Sequence, residues 1–263
     1  MKNRSMPYCS HNSVKIYYET HGTPNSPSLM LIHGMGSSTK DWEFQIPAFQ
    51  AQFFVITVDL RGHGQSSKPK GPHTVTEFAG DCIAVLDHLE IQNANILGLS
   101  LGCFTALEIA IDYPDRLQGC GVIGVNGTAS LSLDSWKAKM NGLSRFLTVI
   151  FRGTRIMGRK IAKNVFPHPD QAELRQMVED RIGENKTKDY LATLRGLIGW
   201  SIEDQLSDIS SPVLLISADQ DYSPVEAKQA MVTKIPKGSL HVIPNSRHLV
   251  NIEKAEELNK VVL

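Results

Sequence analysis

The chain alternates short apolar runs rich in Val, Ile and Leu with stretches of helical periodicity. Runs at 14–20, 29–33, 53–59, 96–99, 121–125, 213–218 and 240–244 predict strands. Most are apolar without alternation, the pattern of parallel strands covered on both faces rather than of a sheet with one wet side. Between them, 41–50, 75–89 and 101–113 predict helices. Phe78, Cys82, Val85 and Leu89 recur at helical spacing, and Pro114 stops the third helix. The pattern predicts an α/β sandwich with a mostly parallel central sheet flanked by helices.

Strand signals vanish between Asn126 and about Ser207. There Leu143, Phe146, Leu147 and Ile150, then Leu174, Met177, Val178 and Ile182, then Leu191, Leu194, Leu197 and Ile198 predict several helices before strand signals resume at Val213. An all-helical block inside an α/β alternation, with no second copy of the sheet pattern, predicts a cap inserted at one sheet edge. The expected division is a core of residues 1–125 and 208–263 and a helical cap of residues 126–207. A chain of 263 residues, 41% of them hydrophobic, suffices for one large core carrying such an insertion.

Charge narrows the choice of partner. Lys plus Arg and Asp plus Glu both number 27, so nothing global favours nucleic acid or an anionic membrane. One segment departs from this balance. From Trp136 to Phe166, Lys137, Lys139, Arg145, Arg152, Arg155, Arg159, Lys160 and Lys163 accompany Leu143, Phe146, Leu147, Ile150, Phe151, Ile156 and Val165, with no acid among them. Two readings stay open. The segment is a basic amphipathic lid that leans weakly on an anionic lipid surface or receives an anionic acyl substrate, or it is a helix pair whose charges are simply solvated.

The amino-terminal residues lack the apolar stretch of a secretory signal, and no apolar run approaches the roughly 18 residues of a membrane span, so a cytoplasmic protein is expected. Cys9, Cys82, Cys103 and Cys120 are too sparse for a disulfide framework and too scattered for a metal site, which predicts free, mostly buried thiols. Neither metal-ligand spacing nor a phosphate-binding glycine pattern occurs, so no metal and no cofactor are expected.

Candidate chemistry centres on Gly98-Leu99-Ser100-Leu101-Gly102, between an apolar run and a helical stretch. Aiming a serine hydroxyl out of a sheet requires a sharp, strained turn from strand to helix that only very small residues can flank. The same turn puts the Leu101 amide at a helix start, where unpaired N–H groups favour a developing negative oxygen. A serine needs a base, and the base needs an acid to orient it. Asp219 and Asp221 follow the 213–218 run, and His248 follows the last strand run. In an open parallel sheet these segments leave at the same edge as Ser100.

The segments HGMG at 33–36, DLRGHGQS at 59–66, GLSLG at 98–102, SADQD at 217–221 and SRH at 246–248 together resemble the α/β-hydrolase superfamily, in its usual serine, acid, histidine order. The resemblance spans nearly the whole chain outside the helical block. It implies that Ser100 is the nucleophile, His248 the general base and then acid, and Asp221 the orienting carboxylate, with Asp219 as its competitor. The position after the strand preceding the cap, where some relatives keep the acid, is Asn126. The backbone amides of Met35 and Leu101 are implied as the oxyanion hole, with His33 bracing its turn, while His63 holds a loop by hydrogen bonds. Cys103 shares a helix face with Ser100 and is expected to pack rather than react; it also departs from the family's usual small residue after Gly102.

The implied activity is cofactor-independent hydrolysis of a small-molecule carboxylic ester through an acyl-enzyme. Enol-lactonases and small esterases are resembled alike, and thioesterases and C–C bond hydrolases share the pattern. Dehalogenases and soluble epoxide hydrolases use Asp at the position of Ser100. The competing reading is a ligand-binding receptor that kept the fold without the catalysis.

Overall fold

The structure, a computed structural model, describes residues 7–131 and 136–263. Eight strands form one sheet: β1 (Tyr8–His11), β2 (Val14–His21), β3 (Ser28–Ile32), β4 (Phe54–Val58), β5 (Ala94–Leu99), β6 (Leu117–Val125), β7 (Val213–Ala218) and β8 (Gly238–Ile243). Their order is β1-β2-β4-β3-β5-β6-β7-β8. The two pairings at the amino-terminal edge are antiparallel and the remaining five are parallel. This is the α/β-hydrolase architecture. Because β3, β5, β6, β7 and β8 run the same way, the segments that follow them emerge at one edge of the sheet. Those segments begin at His33, Ser100, Asn126, Asp219 and Pro244.

Period-two alternation explains why the strands read as continuously apolar. On β3, Met30 and Ile32 join the core on one face while Leu29 and Leu31 join the other; on β5, Ile96 and Leu97 divide the same way. The described residues form nine helices, α1 (Ile46–Phe49), α2 (Val75–His88), α3 (Leu101–Asp112), α4 (Trp136–Val165), α5 (Ala172–Gly183), α6 (Thr187–Gly196), α7 (Val225–Thr233), α8 (Val250–Glu253) and α9 (Ala255–Val262), of which α4, α5 and α6 stand apart from the sheet faces. Phe78, Cys82 and Leu86 of α2 pack with Leu107 of α3 on one face, and Phe49, Val250 and Leu258 close the other. A reciprocal capping box starts α2: the Glu77 amide donates to Thr74 Oγ1 at 3.2 Å and the Thr74 amide to Glu77 Oε2 at 2.9 Å.

Between β6 and β7 lie α4, α5 and α6, which build a third apolar cluster around Val149, Met157, Val178, Ile182 and Tyr190. Gly153, at φ 79°, breaks α4 into two helices. The first presents an outward stripe of exposed Trp136, Met140, Leu143, Leu147, Ile150 and Phe151. On the second, Arg155 meets Asp180 at 2.6 Å and Arg159 meets Glu179 at 2.7 Å, so part of the basic run is neutralised by α5. No helix of the described residues is long and apolar enough to cross a membrane.

Two local expectations are corrected. Residues 41–50 form a 3-10 turn (Thr39–Trp42) and the single-turn α1 instead of one helix. Pro47, lacking an N–H and fixed in φ, fits the start of α1 but not the interior of a longer helix. The sequence pattern also passes over β1. Its hairpin turn runs through Asn12 and Ser13, both at positive φ (46° and 66°), without the glycine that marks such a turn.

The elbow after β5 is the tightest approach of backbone to backbone at the site. A Cβ on Gly102 would lie 1.9 Å from the Ile32 carbonyl oxygen, and one on Gly98 2.1 Å from the Gly102 carbonyl oxygen. No side-chain rotation relieves either clash. The substitution Gly102→Ala is expected to cost about 3 kcal/mol or more, read as a lowered midpoint in urea or thermal denaturation. An unchanged midpoint would contradict this packing.

Candidate active site

Ser100 sits between β5 and α3 at φ 52° and ψ −107°, a conformation that costs a side-chain-bearing residue about 1–3 kcal/mol. Its neighbours hold it there. The Ser100 amide donates to the Val125 carbonyl at 2.9 Å, and the Ser100 carbonyl accepts from the Cys103 and Phe104 amides at 2.9 and 3.1 Å, launching α3. The side chain is half-buried and borders a cleft of about 1080 Å³. Cys103 points the other way. Its Sγ occupies the space that a Cβ on Gly124 or Gly127 would need, and burial pushes its thiol up to about 12, so it packs as a protonated thiol.

The two carboxylates after β7 have separate tasks. Asp219 accepts the Asn245 and Ser246 amides, both at 2.9 Å, and so pins the loop that carries His248. Burial raises the Asp219 carboxyl, but those amides outweigh it and hold the group below the usual carboxylate range. Asp221 instead accepts His248 Nδ1 at 2.5 Å through Oδ1. With Nδ1 so engaged, the imidazole directs Nε2 away from Asp221. Among the described hydrogen bonds none joins Ser100 Oγ to His248, yet both side chains border the same cleft with Asp221 behind them. Tyr222 lies beside the imidazole, its ring centroid 4.6 Å away.

The second oxygen of Asp221 carries a group that sequence reasoning missed. Lys228 of α7, almost fully buried, donates from Nζ to Asp221 Oδ2 at 2.5 Å, to Ser217 Oγ at 3.0 Å and to Asn126 Oδ1 at 3.2 Å. Three acceptors satisfy the three ammonium protons, as a buried lysine requires. Asn126 ties the arrangement together: its Oδ1 also accepts the Ala218 amide at 2.7 Å, and its Nδ2 donates to the His248 carbonyl at 2.8 Å. Burial alone would raise the Asp221 carboxyl. The His248 hydrogen bond and charge, followed by Lys228, outweigh it and hold the carboxylate below its ordinary range. Nothing in the spacing of Asn126, Ser217 and Lys228 announces this cluster; only the apolar setting of a lysine would have hinted at it.

The turn after β3 supplies the opposite wall. The Leu60 amide donates to His33 Nε2 at 3.0 Å, so that nitrogen is the acceptor and Nδ1 carries the proton it gives to the Gly34 carbonyl at 2.7 Å. Asp41 accepts the Gly34 amide at 3.1 Å and the Ser37 hydroxyl. From the helical segment, Arg181 approaches Asp41 at 3.5 Å and Asn185 Nδ2 donates to the Gly36 carbonyl at 2.7 Å. Among the described hydrogen bonds, the Met35 and Leu101 amides have no acceptor. Both residues border the cleft beside Ser100.

His63 is buried between His33 and Phe78, with Nδ1 3.1 Å from the Arg61 carbonyl, and burial lowers its basicity well below the usual histidine range. It sits in the loop as a packed, neutral ring. Among the described residues no group of three or more His, Cys, Asp or Glu side chains is placed to hold a metal ion.

Comparison with known proteins agrees with this fold. Residues 27–255 match the family described as the alpha/beta hydrolase fold. The chain is 30% identical over 254 residues to 3-oxoadipate enol-lactonase 2 of Acinetobacter baylyi, covering 95% of this chain and 92% of that one. It is 27% identical over 262 residues to a putative carbamate hydrolase, RutD, of a Caulobacter species, covering 94% of each. Among solved structures, the enol-lactonase of Burkholderia xenovorans LB400 superposes with a TM-score of 0.87 at 25% identity, over 97% of this chain and 98% of that one. The chain belongs to the α/β-hydrolase family and is an enol-lactonase-like hydrolase by its relatives.

Proposed function

We propose that the protein hydrolyses carboxylic esters, lactones included, through a Ser100–His248–Asp221 triad. The observation that carries this reading is the 2.5 Å bond from His248 to Asp221, at the rim of the cleft that also holds the strained Ser100. The enol-lactonase relatives favour an oxygen ester as the bond cleaved.

In this mechanism His248 Nε2 takes the proton from Ser100 as Oγ bonds to the ester carbonyl carbon. The carbonyl oxygen becomes an anion, received by the Met35 and Leu101 amides. The intermediate collapses, the alcohol oxygen leaves and takes the proton from His248, and Ser100 stays acylated. Water then gives a proton to His248 and attacks the acyl carbon; the bond to Ser100 Oγ breaks, Oγ takes the proton back from His248, and the acid is released. With a lactone, acid and alcohol leave as one molecule. Asp221 stays ionised throughout, stabilising the imidazolium, and Lys228 acts through Asp221 as a positioning residue. The helical segment of residues 126–207 serves as a cap that roofs the acyl pocket, set on a core of residues 1–125 and 208–263. Its clamps on the oxyanion turn are Arg181 and Asn185.

Three outcomes follow from these roles. A fluorophosphonate probe should label the protein covalently, and Ser100→Ala should abolish labelling; an unlabelled wild-type protein would favour a ligand-binding receptor instead. His248→Ala should lower kcat for 4-nitrophenyl esters by about four orders of magnitude while leaving the circular dichroism spectrum unchanged. Retained turnover would remove His248 from the mechanism.

Lys228→Met addresses the depressed Asp221 carboxyl. A carboxyl whose folded pKa is lowered contributes stability that is present above its unfolded value and lost as pH falls through the folded value. Without the lysine that value rises, so the acid-side loss of stability, read as the urea denaturation midpoint against pH, should begin at a higher pH than in the wild type. An acid limb that does not move would show that Lys228 does not act through Asp221.

A further inference from the structure

Three arginines of the helical segment have acids for partners. Arg155 and Arg159 meet Asp180 and Glu179, and Arg181 meets Asp41 and Glu43. Arg145 does not. It lies on the first half of α4, half-buried, where that helix borders the cleft. Its Nε donates to the Tyr190 hydroxyl at 3.0 Å, its Nη2 donates to the same oxygen, and its guanidinium carbon lies 5.5 Å from the Tyr190 ring centroid. Nη2 is also 3.6 Å from Met35 Sδ. Among the described residues no carboxylate is within ion-pair distance of it, and Nη1 has no acceptor. A half-buried guanidinium served by a phenol, a ring face and a thioether is oriented but not neutralised.

Its location relates this charge to the reacting centre. Arg145 touches the side chain of Met35, whose amide is one of the two unengaged donors beside Ser100. Its charge also acts on the Tyr222 phenol, opposing the desolvation that raises that group, and the Tyr222 ring lies against His248. The rest of the cleft reinforces the sign. Lys139 and Lys160 border it, and Lys160 is bonded to the Thr148 hydroxyl at 2.9 Å rather than to an acid. Among the described residues, the acids that border the cleft are Asp41 and Asp221, each already paired with a cation, Arg181 and Lys228. A cleft with apolar walls and a surplus of positive charge concentrates an anionic ligand.

We propose that Arg145 is the anion-binding group of the acyl pocket, so that the substrates of this protein are esters or lactones bearing a free carboxylate. The inference rests on the esterase reading above and deepens it. One planar guanidinium, held edge-on by Tyr190 with a side open, matches a single carboxylate. A dianionic phosphate would require further donors aimed at the same point, and Lys160 is turned to Thr148. The acid-free run of basic residues thereby divides: Arg155 and Arg159 bind α5 to α4, and Arg145 faces the substrate.

The test compares mono-4-nitrophenyl adipate with 4-nitrophenyl hexanoate, esters of equal chain length that differ by a terminal carboxylate. The wild-type protein should favour the adipate ester in kcat/KM by about ten-fold or more, in the range of one charge-assisted pair. Arg145→Gln should reduce that preference at least ten-fold, mainly through KM, and Arg145→Lys should restore part of it. Equal kcat/KM for the two esters in the wild type, which requires no variant, would overturn the proposal while leaving the esterase reading intact. A parallel loss on both esters in Arg145→Gln would also overturn it, assigning Arg145 to the support of Tyr190 and Met35. Turnover of neither ester by the wild type would overturn the esterase reading and this inference together.

Discussion

Everything at this site depends on how closely three pieces of backbone approach one another beneath Ser100. The elbow between β5 and α3 forces positive φ on a serine and leaves no space for a Cβ at Gly98 or Gly102, because the β3 carbonyl of Ile32 and the first turn of α3 already occupy it. The strain of about 1–3 kcal/mol is small beside the burial of β3, β5 and α3 against two apolar cores, so the fold imposes the conformation rather than tolerating it. The hydroxyl is thereby presented at the carboxyl edge of the sheet, where the segments after β3, β6, β7 and β8 also emerge.

Around that fixed point the polar groups form two chains that meet at the cleft. One passes from Lys228 through Asp221 to His248, with Asn126 and Asp219 tying the loops together; each member has a hydrogen-bond partner, as groups in a low-dielectric setting require. The other passes from His33 and Asp41 to the Gly34–Gly36 turn and on to Arg181 and Asn185. The second chain links the helical segment to the glycine turn after β3. A shift of α5 would therefore be felt at the turn that carries the Met35 amide, through Arg181 on Asp41 and Asn185 on the Gly36 carbonyl.

Much of this was legible in the chain because local geometry and chemistry demand the same residues. The pentapeptide at 98–102, the glycine turn at 33–36 and the uninterrupted apolar strands carry those demands in the chain, whereas the strand order β1-β2-β4-β3-β5-β6-β7-β8 does not follow from them. The family resemblance favoured Asp221 over Asp219 although both follow β7; in the structure they differ by partner, amides for Asp219 and imidazole for Asp221. Lys228 stayed hidden because its acceptors lie 7, 11 and 102 positions away on separate elements. Short pieces without strong signals, β1 with its glycine-free turn and the Pro47 interruption, were likewise beyond pattern alone. The basic run of α4 could not be apportioned from composition, because whether an arginine meets an acid depends on which face α5 covers.

The account stands or falls on a covalent bond at one oxygen. Rapid mixing with a chromogenic ester, acid quenching and intact mass measurement, followed by peptide mapping, tests this directly. The account predicts a mass gain of one acyl group on the peptide containing Ser100, appearing with the first equivalent of released alcohol. Ester turnover with no such adduct, or with the acyl group on another residue, would contradict it.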